Sequence, residues 1–209
     1  MLYYALVDIS AFGDADTEYI RENISGHFAD KASLKRKESV IGKALLCLIL
    51  EEKFGVTDFA VDCKKNGKPF IVDSNIFFNI SHSGKYVLCT VGDENNGCDI
   101  QQFKPYNNKV VKRFFAYSEQ LFLEKSENQS RDFAKFWTLK ESALKFSGEG
   151  MSGGLDRYDF SGYYNKNSFK LEELHFNVFE MQEYFISICS VTGEIIKLNA
   201  DVLKRKIDL

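Results

Sequence analysis

The sequence has little of what marks linkers, disulfide scaffolds or membrane spans. It contains two prolines in 209 residues and no low-complexity stretch, so we expect no hinge between independently folded domains. Its five cysteines lie far apart without a CxxC pair, which fits reduced thiols in a cytoplasm and offers no zinc site. The longest apolar run, residues 44–50, is far shorter than the ~20 residues of a membrane span.

An excess of one charge and several enzyme motifs are also missing. The 27 basic residues nearly balance 30 acidic ones, so no overall basic field attracts nucleic acid and local groups must hold any bound anion. There is no Walker loop, GxGxxG or GxSxG. The first nine residues lack a basic leader and a cleavage site, so we expect a cytoplasmic protein that is not a membrane protein.

Helix and strand patterns follow one another along the whole chain. Apolar periodicity predicts two strong helices, 33–54 and 132–146, ended by Gly55 and by glycines at 148, 150, 153 and 154. Shorter helices are predicted at 14–24, 110–115 and 118–124, and strands at 2–9, 59–63, 76–80, 86–91 and 98–100. Residues 168–198 alternate like a meander ending in a hairpin of 185–191 with 194–198. The pattern predicts an α+β fold with possible internal duplication.

The first segment that can do chemistry is Asn-Ile-Ser-His-Ser-Gly at residues 79–84, where an apolar strand ends. A loop there would direct hydroxyls, an imidazole and backbone N–H groups to one point, as a phosphate site requires. For His82 alone, a polar turn with a hydrogen-bonded imidazole is the commoner explanation. A Ser–His hydrolase is disfavoured because no nucleophile elbow is present.

Two further segments carry carboxylates. Asp99 and Gln101 are two residues apart on a predicted strand, so they face the same side and together suit a hard cation such as Mg²⁺. Glu141 and Lys145 are four apart on a predicted helix and share a face with Trp137. Taken singly, an Asp beside a glycine usually closes a turn, and a Glu–Lys pair at this spacing is usually a surface salt bridge.

The combination favours metal-assisted chemistry at a phosphate ester. The cation would neutralise a diphosphate, while lysine and histidine balance the charge of the departing phosphate. A carboxylate could take the proton of an incoming hydroxyl.

Five segments, in their order along the chain, resemble the Sfp-type 4'-phosphopantetheinyl transferases. They span about residues 64–151 and are Gly67-Lys68-Pro69, residues 78–84, Gly97-Cys98-Asp99-Ile100, residues 112–115, and residues 137–142 with Lys145. The resemblance implies a pseudo-twofold α+β fold of two similar α/β halves, 1–98 and 99–209, with the metal site and a coenzyme cleft at their junction. It implies transfer of the 4'-phosphopantetheine group of coenzyme A to a serine of an acyl or peptidyl carrier protein, in fatty acid, polyketide or nonribosomal peptide biosynthesis.

The resemblance also implies residue roles. Asp99 and Glu141 would bind Mg²⁺, or Mn²⁺ in its place, with Gln101 as a further candidate ligand. Glu141, or a water that it orients, would take the serine proton, and Lys145 would contact the phosphate under attack. The coenzyme would be held by the side chains of Lys68, Ser81, His82, Lys140 and Lys145.

Two features concern metal and partner. The family often has an acid where this chain has Gln101, a weaker neutral ligand, so we expect a lower metal affinity than in the family. The segment 119–123 would lie near the carrier-docking region, with Phe114, Phe115, Leu121 and Phe122 as candidates for carrier contact or for core burial. Basic residues at 109, 112 and 113 could steer an acidic carrier.

Other interpretations stay open. The first alternative is an inactive or weak homologue that binds coenzyme A or a carrier protein, which Gln101 favours. A different metal-dependent enzyme of nucleotide diphosphates would need a phosphate motif that the sequence lacks. A scaffold protein would leave the five ordered segments unexplained. The expected protein is a monomeric enzyme.

Overall fold

The computed structural model describes residues 1–150 and 154–207, without the side chains of residues 206 and 207. The chain is α+β, and its internal contacts divide it into two compact units. The first unit contains residues 1–96 and the C-terminal segment from Glu194; the second contains residues 97–193. This division differs from the predicted halves, since it begins the second unit at Gly97 and returns the C-terminal segment to the first.

The helices and strands are numbered in chain order. In the first unit they are β1 (Leu2–Asp8), α1 (Asp14–Ile24), α2 (Lys37–Ile49), β2 (Val61–Cys63), β3 (Pro69–Ile71), β4 (Phe77–Ser83) and β5 (Tyr86–Gly92). The second unit follows with β6 (Asn96–Gln102), α3 (Asn108–Phe114), α4 (Tyr117–Glu124), α5 (Gln129–Ser147), β7 (Ser168–Leu171), β8 (Leu174–Met181) and β9 (Tyr184–Ser190). The C-terminal segment adds β10 (Ile195–Lys197) and α6 (Asp201–Ile207) to the first unit. Over the described ranges, no helix has both the length and the apolar character needed to cross a bilayer.

The first unit is a four-stranded sheet in the order β10–β1–β5–β4, with α2 packed on it. The helix approaches the sheet closely at Gly42, where an added Cβ would lie 2.7 Å from Cγ2 of Ile80. The predicted helix 33–54 is shorter at its start, because a 3-10 turn over Lys31–Leu34 precedes α2. At its other end, a π-helical turn over Leu50–Phe54 leads to Gly55 at φ 65°, as predicted.

Two strand pairings differ from the predictions. The predicted hairpin of 185–191 with 194–198 is wrong: β10 pairs in parallel with β1, with Leu2 opposite Ile195. The second difference is that β3 was not among the predicted strands: it pairs with β2, with Cys63 opposite Pro69, through a turn in which Gly67 has φ 84°. The alternation of apolar and polar residues along a strand does not predict which other strand it will pair with.

The second unit is a four-stranded sheet in the order β6–β9–β8–β7, with α5 packed on β9. Its core joins α5 side chains such as Phe136 and Leu139 to Phe176 and Phe185 of the sheet. Gly148 ends α5 at φ 75°, as predicted, whereas the predicted loop glycine Gly153 lies outside the described residues.

The same connectivity occurs in both units. Each contains a first strand, a long helix and then a hairpin: β1–α2–β4–β5 in the first unit and β6–α5–β8–β9 in the second. In both sheets the second hairpin strand lies beside the first strand. The expectation of two similar α/β halves is therefore confirmed. The predicted carboxylates lie in the second unit, Asp99 on β6 and Glu141 on α5.

Candidate active site

Strand β6 carries Asp99 into contact with helix α5. A Cβ on Gly97 would lie 2.1 Å from the carbonyl oxygen of Ser142 and 2.4 Å from the amide nitrogen of Phe146, so the two backbones touch there. Because side chains alternate along a strand, Asp99 leaves β6 on the same side as this contact. The sequence analysis assigned no role to Gly97. In the structure, its missing side chain lets β6 approach α5.

Asp99 and Lys145 form an ion pair within the second unit. The Lys145 Nζ donates to Oδ1 of Asp99 at 2.7 Å, and the Asp99 side chain is only 8% exposed. Burial lowers the pKa of Lys145, but Asp99, Cys98 and Glu141 together outweigh burial and raise it. The lysine therefore carries its charge at the place where the sequence predicted a phosphate contact.

Glu141 lies one helical turn before Lys145 on α5. Burial raises the pKa of Glu141, and repulsion from Asp99 raises it further, while Lys145 acts in the opposite direction. The Asp99–Lys145 ion pair and the effect of Asp99 on Glu141 place the three side chains near one another. The sequence spacing predicted only that Glu141 and Lys145 share a helix face, and the resemblance implied that Asp99 joins them.

The donor set suits a divalent cation but does not enclose one. Asp99 raises the pKa of Glu141, and a hard cation, for which carboxylate oxygens are the preferred ligands, would relieve that repulsion. Among residues 1–150 and 154–207, no group of three or more His, Cys, Asp and Glu side chains is placed to hold a metal ion. Asp99 and Glu141 would therefore need further oxygen ligands from Gln101, water or substrate. Gln101 is half-buried, and its Nε2 donates to the Gln102 carbonyl at 3.0 Å.

The predicted phosphate loop at residues 79–84 is a strand, so that prediction is wrong. The ladder with β5 continues through Ser83, which pairs with Tyr86, and the turn is the two residues Gly84 and Lys85. Ser81 and His82 therefore leave the backbone on opposite faces; Ser81 is buried and His82 is exposed. Because β4 is an edge strand of its sheet, one phosphate could reach both side chains only at that edge.

Lys68 lies on the β2–β3 turn of the first unit. Its Nζ donates to Oδ1 of Asn95 at 2.9 Å and approaches the Asn96 carbonyl at 3.5 Å. Asn96 is itself fixed, since its carbonyl accepts from Nδ2 of Asn79 at 3.0 Å and its Oδ1 from the Thr90 hydroxyl at 2.8 Å. The lysine is thus held against a rigid turn, half-buried, on the unit that also carries Ser81 and His82.

A cavity of about 360 Å³ lies beside the β2–β3 turn. Its lining includes Phe28, Lys43, Cys63 and Gly67. The Lys43 ammonium lies 4.6 Å above the Phe28 ring, and burial lowers the pKa of that lysine. The sequence analysis did not single out Lys43, because a lysine beside the apolar stripe of α2 is typical of an exposed helix face.

The position of Lys140 excludes the coenzyme contact that the sequence predicted for it. Its side chain is fully buried and forms an ion pair with Glu119 at 2.7 Å. The same ammonium donates to the carbonyls of Leu155 and Tyr158 at 3.0 and 2.6 Å. Three acceptors therefore surround the three N–H groups of the ammonium, so Lys140 is not placed to contact a ligand.

The aromatic candidates for carrier docking divide between core and surface. Phe115 is buried, and Phe122 is half-buried against Phe136 with ring centroids 5.4 Å apart. Tyr117, which the sequence did not single out, is 75% exposed at the start of α4. The basic residues of α3 that could steer a carrier, at positions 109, 112 and 113, are exposed.

Known proteins resemble this chain across the segment that carries these residues. Residues 96–189 match the family model of the 4'-phosphopantetheinyl transferase superfamily. The chain is 34% identical over 126 residues to the 4'-phosphopantetheinyl transferase Sfp of Bacillus subtilis, covering 57% of this chain and 56% of that protein. It is 36% identical over 117 residues to the 4'-phosphopantetheinyl transferase gsp of Aneurinibacillus migulanus, covering 54% and 49%. The chain thus spans about half the length of the curated relatives it matches.

A solved structure, the holo-[acyl-carrier-protein] synthase of Thermotoga maritima, is 15% identical and covers 54% of this chain and 73% of that one. Its TM-score of 0.33 is too low to compare the folds. The superfamily match contains β6 and α5, and with them Asp99, Glu141 and Lys145. Residues 96–189 of this chain are thus similar to the 4'-phosphopantetheinyl transferase superfamily, and the chain is similar to Sfp-type transferases over 57% of its length.

Proposed function

We propose that this protein transfers the 4'-phosphopantetheine group of coenzyme A to a serine hydroxyl of an acyl or peptidyl carrier protein. The observation that carries the proposal is the cluster of Asp99, Glu141 and Lys145, in which a buried carboxylate holds an ammonium and raises the pKa of a second carboxylate. The similarity to 4'-phosphopantetheinyl transferases suggests the reaction, and this cluster supplies groups of the kind that the reaction needs.

In the proposed step, the serine oxygen forms a bond to the phosphorus that bears pantetheine. The bond from that phosphorus to the bridging diphosphate oxygen breaks, and 3',5'-ADP leaves with the electron pair. Glu141, directly or through a water, accepts the serine proton, and its raised pKa makes it a stronger base than an exposed carboxylate. Lys145 supplies positive charge to the phosphate under attack.

A divalent cation, Mg²⁺ or Mn²⁺, held by Asp99 and Glu141 would neutralise the diphosphate and favour its departure. Asp99 then has two tasks, since it also accepts the hydrogen bond from Lys145. We place Gln101 as a weaker candidate ligand, because an amide oxygen is neutral.

We assign binding of the coenzyme nucleotide to the first unit. Lys68, Ser81 and His82 remain the proposed contacts for its phosphate groups. The cavity of about 360 Å³ beside the β2–β3 turn adds a lysine, Lys43, to that set. An ammonium is a group that pairs with a phosphate.

The proposed partner is a carrier protein that docks by its acidic surface, near α3 and α4, on a monomer of this chain. We place the reaction in the cytoplasm, which the five free cysteines support. The alternative is a homologue that binds coenzyme A or a carrier without transfer. The neutral Gln101 favours it.

The deciding measurement is the intact mass of an apo carrier protein incubated with this chain, coenzyme A and Mg²⁺. Transfer adds about 340 Da to the carrier, the mass of the covalently attached arm. EDTA and the isosteric variants Asp99→Asn and Glu141→Gln should abolish the gain, whereas Glu149→Gln, a change of an exposed carboxylate, should keep it. If carriers of fatty acid, polyketide and peptide synthesis all stay unmodified while coenzyme A binds, the homologue without transfer activity is the correct description.

A further inference from the structure

The ion pair between Glu119 and Lys140 has no part in the chemistry proposed above. Both side chains are fully buried, with Nζ and Oε2 2.7 Å apart. Glu119 also accepts the backbone N–H of Ala116 at 2.8 Å and that of Phe160 at 3.0 Å. Together with the two carbonyls that Lys140 contacts, the pair joins the start of α4, the middle of α5 and the segment 155–160 of the second unit.

Lys140 directly precedes Glu141 in α5. Consecutive residues of an α-helix point in directions about 100° apart, so the side chain of Lys140 leaves α5 in a different direction from that of Glu141. Fixing Lys140 against Glu119 therefore fixes the rotation of the helix at the position of Glu141. Side chains reach roughly 5–6 Å from the helix axis, so a rotation of about 10° would move a carboxylate by about 1 Å.

Apart from the Asp99–Lys145 pair, the contacts of α5 with the sheet include apolar packing, a hydrogen bond between the buried hydroxyls of Ser142 and Ser187 at 2.8 Å, and the partly exposed ion pair of Arg131 with Glu180. Apolar packing tolerates small rotations, whereas a set of directional hydrogen bonds to a buried charge does not. At Gly97 the strand presents no side chain, so the contact between β6 and α5 sets their separation but contains no interlocking groups. The buried pair is thus a directional contact that restricts the rotation of α5 close to Glu141.

We infer that Glu119 and Lys140 are positioning residues, which hold α5 at the rotation that brings Glu141 and Lys145 to Asp99. The inference rests on the proposed function for its catalytic consequence, and on structure alone for the placement of α5. Misplacing a catalytic group by about 1 Å can cost about 100-fold in rate. We therefore expect a loss in kcat with little change in KM.

The test compares Glu119→Asp, which keeps the charges but shortens the link, with the apolar double variant E119L/K140M. Trp137, the sole tryptophan, lies one turn before Glu141 and stacks on Phe133 with ring centroids 5.8 Å apart. Its fluorescence therefore reports the placement of α5 without any substrate. We expect both variants to unfold cooperatively, to show a shifted tryptophan emission, to bind Mn²⁺ alone about tenfold more weakly, and to lose about 10- to 100-fold in kcat.

Glu180→Gln is the matched control, because it removes a partly exposed ion pair of the same helix, that of Arg131 and Glu180. It should leave tryptophan emission, Mn²⁺ affinity and kcat at the parent values. If the folded Glu119→Asp or double variant keeps parent emission, Mn²⁺ affinity and kcat, and only its Tm falls, the pair is structural and the inference is wrong. If the parent chain transfers nothing, tryptophan emission and Mn²⁺ affinity still decide this inference separately from the proposed function.

Discussion

Replacing Gly97 with alanine should damage the site through a single added methyl group. The new Cβ would lie 2.1 Å from the Ser142 carbonyl oxygen, whereas a carbon–oxygen contact needs about 3.4 Å, so β6 and α5 must separate by about 1.3 Å. Both clashing atoms belong to the helix backbone, which cannot move aside like a flexible side chain. The separation would pull Asp99 from Lys145, now 2.7 Å away.

The expected cost follows from that displacement. Overpacking of this kind destabilises by about 1–3 kcal/mol, which lowers Tm by roughly 2–12 °C in a chain of this length. A displacement above 1 Å at the reacting groups should reduce transfer to the carrier by about 100-fold or more, measured below the Tm of the variant. Gly162→Ala is the control, because nothing lies within 4 Å of its added Cβ. If Gly97→Ala keeps parental Tm and transfer rate, β6 does not depend on this close approach, and our account of the site is wrong.

Three further predictions concern other parts of the chain. Reversing charge with K112E/R113E should raise the KM for an acidic carrier and leave the KM for coenzyme A unchanged; an unaltered carrier KM would exclude steering by α3. Lys140→Met should destabilise by about 3–5 kcal/mol near pH 7, because it leaves a buried carboxylate unpaired. Burial raises the pKa of that carboxylate, so the loss in denaturant unfolding should shrink as the pH falls and the group is protonated. A thiol reagent should label exposed Cys63 first, since burial raises the pKa of Cys47 to about 12; a second fast thiol would contradict this.

The sequence was sufficient to predict the local parts of the site. Period-two and period-3.6 patterns placed Asp99 on a strand and put Glu141 and Lys145 on one helix face, and the structure agrees. The contact that joins them depends on Gly97, whose missing side chain leaves no periodic signal. A glycine in a strand does suggest close backbone approach, but it does not say to which partner.

The burial of Lys140 could have been predicted from the sequence. Positions 136, 139, 140 and 143 follow the i, i+3, i+4, i+7 pattern of a buried helix face, so a lysine at 140 belongs in the core and needs a partner. The partner was not predictable, because Glu119 lies 21 residues earlier and follows an N-cap position occupied by Ala116, outside the Ser/Thr capping pattern. The segment 79–84 failed for the opposite reason. Its polar residues suggested a loop, although an edge strand accepts them and hydrogen bonding to β5 extends β4 to Ser83.

The charges of the site explain why an ammonium and a cation would both be needed, and what Gln101 changes. Two carboxylates and one ammonium leave one net negative charge, which repels a diphosphate until a divalent cation is bound. A third carboxylate would bind that cation more tightly but add to the repulsion, whereas Gln101 adds an oxygen without charge. We therefore expect Gln101→Glu to lower the Mg²⁺ concentration for half-maximal transfer, read from the Mg²⁺ dependence of carrier mass gain, with Gln102→Glu as the control on the opposite strand face. If Gln101→Glu leaves that concentration unchanged, residue 101 does not contribute to the cation site, and Asp99 and Glu141 are the protein's only carboxylate or amide ligands in this proposal.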